Sequence, residues 1–597
     1  KYTRHPGAGL VSDRFFWFTP PIPNAPLNLT FADVLATSMT LQWADNSVDE
    51  KGFAVYASDD GGANFEFRGL AGENATAANI TGLRSNTKYL FRVYAVSESG
   101  LSDPLEGAEA TVAASVFSAN SGGCNWSDPA TWANAAVPTA DNDVFIPSGA
   151  TVVLDTATQN ANDIVIEGIL EFAATNATLN AGSVSIEPSG TFRTSNTSNS
   201  HTLNVKGNVV NNGILNLSAD SSSGGVNLLF QGNKDASLSG AGSASDIHTI
   251  SLNQLGTDGS PRVVEISPAN FTVRNSTTST VGFLGTLTNG TIKISGTFAG
   301  THRTFSGDLT GRKVGFHLNN PNYTVSTNTL LQFVSSSLTV SAGNLTLTNV
   351  SSNNGILFAT GKTLIEGGTV NVPSVFIAED YTQTGGTVTS CKTGPSFFGC
   401  GFGASGPPYT RFAMSGGAIV IERTGTFGNA SGTRSVTGGT LQLGNATSPS
   451  SQIFTIAGLV PNLTLDNSVS GHQTLVDPNN NMSVLGTTEI KSGTTLRTGG
   501  ISTGSSSFSQ IGANFINNGT LRVTQNITNA APFSFNSNIP QTYSGTGVAG
   551  TTTTPLSDFG IFNPAGGTID PAATTIITNR VNLFTGTLTN SNKVQIR

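Results

Sequence analysis

The sequence predicts an all-β chain in two parts, a small antiparallel sandwich followed by a long parallel β-helix. Three observations carry this. First, Gly367-Gly-Thr-Val-Asn-Val, Gly385-Gly-Thr-Val-Thr-Ser, Gly416-Gly-Ala-Ile-Val-Ile and Gly438-Gly-Thr-Leu-Gln-Leu recur at steps of 18, 31 and 22 residues. A repeat near 20 residues is too short to bury its own apolar side, so it must stack on its neighbours. Second, only 11% of the 597 residues are charged and the net charge is -8, while Gly, Ser, Thr and Asn are abundant. Disorder usually combines high net charge with few β-branched residues, whereas here Val, Ile, Thr and Leu fall in short phased runs. Third, residues 24 to about 114 alternate apolar and polar positions over short runs broken by turn signals such as Asp59-Asp-Gly-Gly62, the pattern of a sandwich. An acidic, charge-poor surface lacks the basic footprint that nucleic acid requires. No apolar run approaches the roughly 18 residues of a membrane span.

In chain order, residues 1–23 form a tail carrying Phe15, Phe16, Trp17 and Phe18 and then a stiff Pro20-Pro-Ile-Pro23 spacer. The aromatic run is either a strand packed on a neighbouring domain or one that docks onto another subunit. The start at Lys1 and the strand-like ending Lys593-Val-Gln-Ile596 suggest a piece of a longer precursor. Residues 24–115 alternate through Met39, Leu41 and Trp43, then Phe53 and Val55, then Tyr89, Phe91 and Val93. With Trp43 early and Gly82-Leu-Arg-Ser-Asn-Thr-Lys-Tyr89 late, this stretch resembles a fibronectin type III module. The resemblance implies that Leu83 and Tyr89 form that family's tyrosine corner. It speaks to fold rather than function.

Residues 116–155 read as the entry and capping segment of the β-helix, in which Trp126 and Trp132 cover the first rung. Asp141 and Asp143 read as turn residues rather than metal ligands. The β-helix then occupies 156–597, right-handed by the usual rule for parallel crossovers. Ile164-Val-Ile-Glu-Gly168, Val184-Ser-Ile-Glu-Pro188, Leu203-Asn-Val-Lys-Gly207 and Leu228-Leu-Phe-Gln-Gly232 align, which predicts one inner stack of Ile166, Ile186, Val205 and Phe230 and sets Glu187 beside Lys206 outside. Leu284-Gly-Thr-Leu-Thr-Asn-Gly-Thr-Ile-Lys-Ile294 returns as Thr585-Gly-Thr-Leu-Thr-Asn-Ser-Asn-Lys-Val-Gln-Ile596. These multi-rung repeats resemble those of large surface-exposed proteins of Bacteroidetes-like bacteria, many exported by the type IX route, and imply a secreted, cell-surface location.

One insertion interrupts the rungs, at 391–409. Cys391 and Cys400 stand nine residues apart in a Gly/Pro-rich loop and are expected to form a disulfide, which predicts an oxidising compartment. Phe397, Phe398, Phe402 and Tyr409 on this loop either fold back over the solenoid or offer a contact surface. Candidate chemistry is sparse. From residue 150 onward about 20 Asp and Glu are scattered, with Glu379-Asp380 the only adjacent pair, and the six histidines show no metal-ligand spacing. No Gly-x-x-x-x-Gly-Lys-Ser/Thr phosphate loop occurs. No catalytic, cofactor-binding or metal-binding residue is therefore assigned, and no cofactor is expected. Outer positions rich in Thr, Ser and Asn suit hydration, glycan contact or lateral packing. The resulting expectation is a non-enzymatic extracellular structural or adhesive protein, a fibre or stalk subunit that self-associates through its ends or binds a surface or glycan ligand. The alternative is a secreted carbohydrate-active β-helix enzyme, a polysaccharide lyase or hydrolase, with an accessory module.

Overall fold

The computed structural model describes residues 22–113, 115–122, 124–173, 175–194, 200–218, 224–273, 284–303, 313–327, 331–332, 337–347, 357–373, 375–391, 401–402, 411–428, 433–466, 471–476, 481–498, 507–523 and 533–597. Apart from two short 3-10 turns at Pro129–Thr131 and Ser591–Lys593, the described elements are strands. The chain divides into two compact units, 1–116 with 141–143, and 117–140 with 144–597.

The first unit is the antiparallel sandwich that the alternation predicts. Strands β1 (Leu27–Ala32), β2 (Ser38–Ala44) and β5 (Ala77–Thr81) form one sheet. Strands β3 (Gly52–Ser58), β4 (Glu66–Ala71), β6 (Lys88–Ser97), β7 (Gly100–Leu101) and β8 (Leu105–Ala110) form the other. Met39, Leu41, Trp43, Phe53, Val55, Tyr89, Phe91 and Val93 fill the space between them. The Tyr89 hydroxyl accepts the Arg84 backbone N–H at 2.8 Å, and Leu83 is buried beside it. This contact is the tyrosine corner.

The second unit is a parallel β-solenoid. Each early turn supplies three short strands, such as Ile169–Phe172, Thr178–Ala181 and Ser183–Ile186. Each pairs in parallel with its counterpart one turn on, Thr191–Thr194, Ser200–Val205 and Val209–Asn211. Alternate side chains therefore point inward and stack on the same residue class above and below. Phe172 stacks on Phe192 at 5.6 Å, Phe515 on Tyr543 at 5.6 Å, and Phe533 on both Phe508 and Phe559 at 5.7 and 5.8 Å. One hydrophobic cluster runs without a break from Phe117 to Ile576.

The predicted single stack of Ile166, Ile186, Val205 and Phe230 divides into two. All four side chains point inward. Ile166 lies under Ile186 and then Asn211, whereas Ala181 lies under Val205 and then Phe230. The phrases look alike because each strand has the same alternation, but residues 200–205 pair with 178–181, one side of the solenoid away from 183–186. Glu187 and Lys206 accordingly do not share a row.

The Gly-Gly phrases are corners. A Cβ on Gly367, Gly385, Gly416 or Gly438 would stand 2.2, 2.1, 2.2 or 2.3 Å from a carbonyl oxygen of the preceding turn, so backbone rests on backbone there. The second glycines, Gly368, Gly386, Gly417 and Gly439, have φ of +63°, +64°, +73° and +96°, which an L side chain adopts only at a cost. At the corners, backbone carbonyls also accept from buried amide side chains. Gln383 Nε2 donates to the carbonyls of Gly385, Gly386 and Ala418 at 3.1, 3.2 and 3.1 Å. Asn320, Gln510 and Asn563 do the same at other corners. Removing such an amide would take a buried donor from several backbone carbonyls at once.

Candidate functional site

Two outer features of the solenoid concentrate polar side chains. The first is a cluster built from five turns. The parallel register sets Glu265 against Lys293 and Lys293 against His317. Lys293 Nζ lies 3.1 Å from Glu265, whose carboxylate also accepts the Ser295 hydroxyl. One turn on, Ser341 Oγ lies 2.8 Å from His317 Nε2 and donates to Glu366 at 2.6 Å. Ser341 has one hydroxyl proton and gives it to Glu366, so it accepts from a protonated Nε2 of His317. Burial first, and then Lys293, hold His317 below its ordinary pKa, while Glu366 and Glu265 oppose this in part. The Ser295 hydrogen bond, followed by Lys293, keeps the Glu265 carboxylate ionised.

This arrangement has the residue types of a hydrolytic triad in a different order. A nucleophilic serine needs its proton directed at the histidine, with the acid holding the histidine's far nitrogen. Here the acid holds the serine and the histidine donates to it. The cluster is thus a hydrogen-bonded ladder built around one ion pair, Lys293 with Glu265. Glu171 and Arg193, in register on another side at 2.7 Å, make a simpler one. Among the described residues, no group of three or more His, Cys, Asp or Glu is placed to hold a metal ion.

The second feature is a face of hydroxyl and amide side chains. The rungs Thr324-Val-Ser326, Asn344-Leu-Thr346, Thr369-Val-Asn371, Thr387-Val-Thr389, Ala418-Ile-Val420, Thr440-Leu-Gln442 and Asn462-Leu-Thr464 lie in consecutive parallel register. The central residue of each rung is buried, so its two flanking residues project outward, half-buried by their neighbours, except Val420, which is buried, and Ser326, whose side chain is outside the description. Asn344 Nδ2 donates to Thr324 at 3.4 Å, Thr369 donates to Asn344, and Asn371 Nδ2 donates to Thr346 at 3.3 Å. A shorter ladder of the same kind, Thr158-Gln-Asn160, Thr178-Leu-Asn180 and Thr202-Leu-Asn204, stands near the start of the solenoid. Its asparagines are linked at 3.0 and 2.7 Å.

The sequence-derived candidates fall as follows. Trp126 and Trp132 are both buried at the start of the core, their rings T-shaped at 4.9 Å, and Trp132 Nε1 donates to the Trp126 carbonyl at 3.0 Å. Cys391 is buried and disulfide-bonded, and Cys124 is free and exposed. Cys400, Phe15, Phe16, Trp17, Phe18, Phe397, Phe398 and Tyr409 lie outside the described residues. Phe402 belongs to a rung strand, Gly401–Phe402, registered between Phe376 and Phe427, rather than to a projecting loop. The His317–Ser341–Glu366 chain escaped the sequence reading, because its members are 24 and 25 residues apart and only the register joins them.

Comparison with known proteins divides the chain similarly. A model of the fibronectin type III domain matches residues 24–110, and a model of the G8 domain matches residues 131–234. A titin fragment is 25% identical, with a TM-score of 0.14, over 15% of this chain and 32% of that one. A fibronectin type III domain of human collagen XX is 22% identical, with a TM-score of 0.14, over 15% of this chain and 98% of that domain. The chain thus spans about a third of the titin fragment. No curated protein matches the chain. Fibronectin type III and G8 modules joined to a β-solenoid fit a surface or extracellular protein. Among the described residues, no helix is long and apolar enough to cross a membrane.

Proposed function

We propose that this chain is a non-enzymatic extracellular structural or adhesive protein, with the sandwich as a spacer and the solenoid as a stalk. The observation that carries this reading is the division of labour in the solenoid. Its interior holds one continuous hydrophobic cluster, with buried amides at the corners, and its regular outer rows carry neutral Thr, Asn and Gln. Rows of this kind offer repeated weak contacts and no activated group. The G8 and fibronectin type III matches support a surface location. The long repeats support kinship in kind with surface proteins of Bacteroidetes-like bacteria.

Negative-stain electron microscopy of the native protein tests the assembly. Filaments or end-to-end pairs are expected. Monodisperse single particles at all concentrations would remove self-association. A second reading, a secreted carbohydrate-active enzyme, draws on the cluster of Glu265, Lys293, His317, Ser341 and Glu366. Release of reducing sugar or unsaturated product from a polysaccharide panel, lost in Ser341→Ala and Glu366→Gln, would establish it in place of the first.

A further inference from the structure

We propose that the hydroxyl and amide face between Thr324 and Thr464 is an ice-binding surface, which makes ordered water the ligand of the adhesive stalk. The inference rests on the reading of the solenoid as an outward-acting adhesive, and it commits that reading to one ligand.

The argument begins with spacing. Strands in a sheet stand about 4.7–4.9 Å apart, and residues two apart on one strand are separated by about 6.5 Å. Two outward positions per rung over successive rungs therefore make a rectangular array of oxygen and nitrogen atoms at about 4.8 by 6.5 Å. The shorter repeat, the one that accumulates from rung to rung, is close to an oxygen spacing on the faces of hexagonal ice. The steps between rungs are 20, 25, 18, 31, 22 and 22 residues. Uneven lengths would spoil a regular face if the extra residues left the chain there. They leave elsewhere: successive rungs stay in register on this face, and at Thr369, Thr387, Ala418 and Thr440 a Gly-Gly corner stands directly before it.

The side chains are also held before any ligand arrives. Threonine is stiff about χ1, and the bonds from Asn344 to Thr324, from Thr369 to Asn344 and from Asn371 to Thr346 fix neighbouring rotamers. A rigid array loses little entropy on binding a rigid partner. Each contact with water is weak, but a solid presents all of them at once.

The chemistry of the face selects among partners. Neither row contains Lys, Arg, Asp or Glu, so nothing matches an anionic glycan or demands a hydration shell that ice cannot accommodate. Neither row contains an aromatic ring, the platform on which a flat sugar surface would stack. Threonine offers a methyl and a hydroxyl side by side, which suits a water network anchored at some points and caged at others. The array is interrupted by Ala418 and Val420 on a single rung. At its ends Arg303 registers with Ser326 and Glu489 with Thr464, so a charged residue bounds the array on each side.

The test is partition of the purified full chain into slowly growing polycrystalline ice, together with inhibition of ice recrystallisation. Thr387→Lys and Thr440→Lys place a hydrated charge within the array. Ser483→Lys places the same charge on a different outer row, that of the strand Met482–Val484. Wild type and Ser483→Lys should enter the ice, and each face variant should lose incorporation by about tenfold, the loss expected when a central contact is removed. Thermal denaturation confirms that the variants are folded, and if one is not, the other face variant stands in its place. Exclusion of the folded wild type from ice would overturn the proposal. So would face variants that behave as wild type, or wild-type retention on microcrystalline cellulose or chitin that Thr387→Lys abolishes. Ice binding by a chain that fractionates inside the cell would instead refute the extracellular reading and leave this assignment intact.

Discussion

Replacing Gly385 by alanine tests whether the solenoid is built from corners in which backbone rests on backbone. The position does not require a left-handed conformation, so the substitution probes space alone. The new Cβ would lie 2.1 Å from the Glu366 carbonyl oxygen, where real Cβ contacts are essentially never below 3.0 Å. The corner must therefore open by 3.0 minus 2.1, or 0.9 Å, away from the turn beneath it. Two bonds that join these turns, from Thr384 N–H to the Ile365 carbonyl at 2.8 Å and from Thr387 N–H to the Gly368 carbonyl at 2.9 Å, would be lost or stretched. At about 1 kcal/mol each, with a further 1 kcal/mol for looser packing of the flanking valines, the loss is about 3 kcal/mol. Gly259→Ala is the reference. That glycine has φ +75° but no atom within 4 Å of its Cβ, so only the conformational cost of about 1 kcal/mol applies. Because turns contact only their neighbours, the damage should also be local. Guanidinium denaturation reads the size of the loss, and hydrogen exchange should show reduced protection around residues 365–390. If Gly385→Ala costs no more than Gly259→Ala, the corner is not packed as described.

Acidification should destabilise the solenoid. Burial holds His201, His248 and His317 below their ordinary value of 6.5. The unfolded chain therefore binds more protons near pH 6, and stability falls as the pH drops below about 6.5. Glu265, held low first by Ser295, adds a contribution that is lost only as the pH falls further, through its depressed folded pKa. Denaturation midpoints at pH 5.0 and 7.5 check the sign, and a higher midpoint at the lower pH would contradict the burial of these rings. Phe533→Ala removes a ring held between Phe508 and Phe559 and should cost about 3–5 kcal/mol in chemical denaturation. Tyr89→Phe deletes the acceptor for the Arg84 N–H and should lower the stability of the sandwich by about 1 kcal/mol. Arg193→Gln, which breaks an ion pair with the partly exposed Glu171, should change stability by less than about 1 kcal/mol.

What was legible in the sequence was local. Period-two alternation announced strands wherever it occurred, because a strand presents opposite sides at successive residues. The Gly-Gly phrases announced corners, because only glycine tolerates both the contact and the φ found there. The tyrosine corner was readable because Leu83 and Tyr89 are near neighbours in the chain. What the tertiary structure decided was register. Whether Val205 stacks on Ile186 or on Ala181 depends on which side of the solenoid its strand occupies, and no single strand records that. The internal donors Gln383 and Asn320 look in sequence like surface polar residues, since nothing local shows that their side chains turn inward to the corner carbonyls. The chain from His317 through Ser341 to Glu366, and the even spacing of the Thr and Asn face across uneven steps, exist only once each turn is seated on the one before. The amino-acid sequence by itself determined the kind of turn and the corners that repeat it. Stacking decided which side chains meet, because contacts between turns are set by the path of the chain between them.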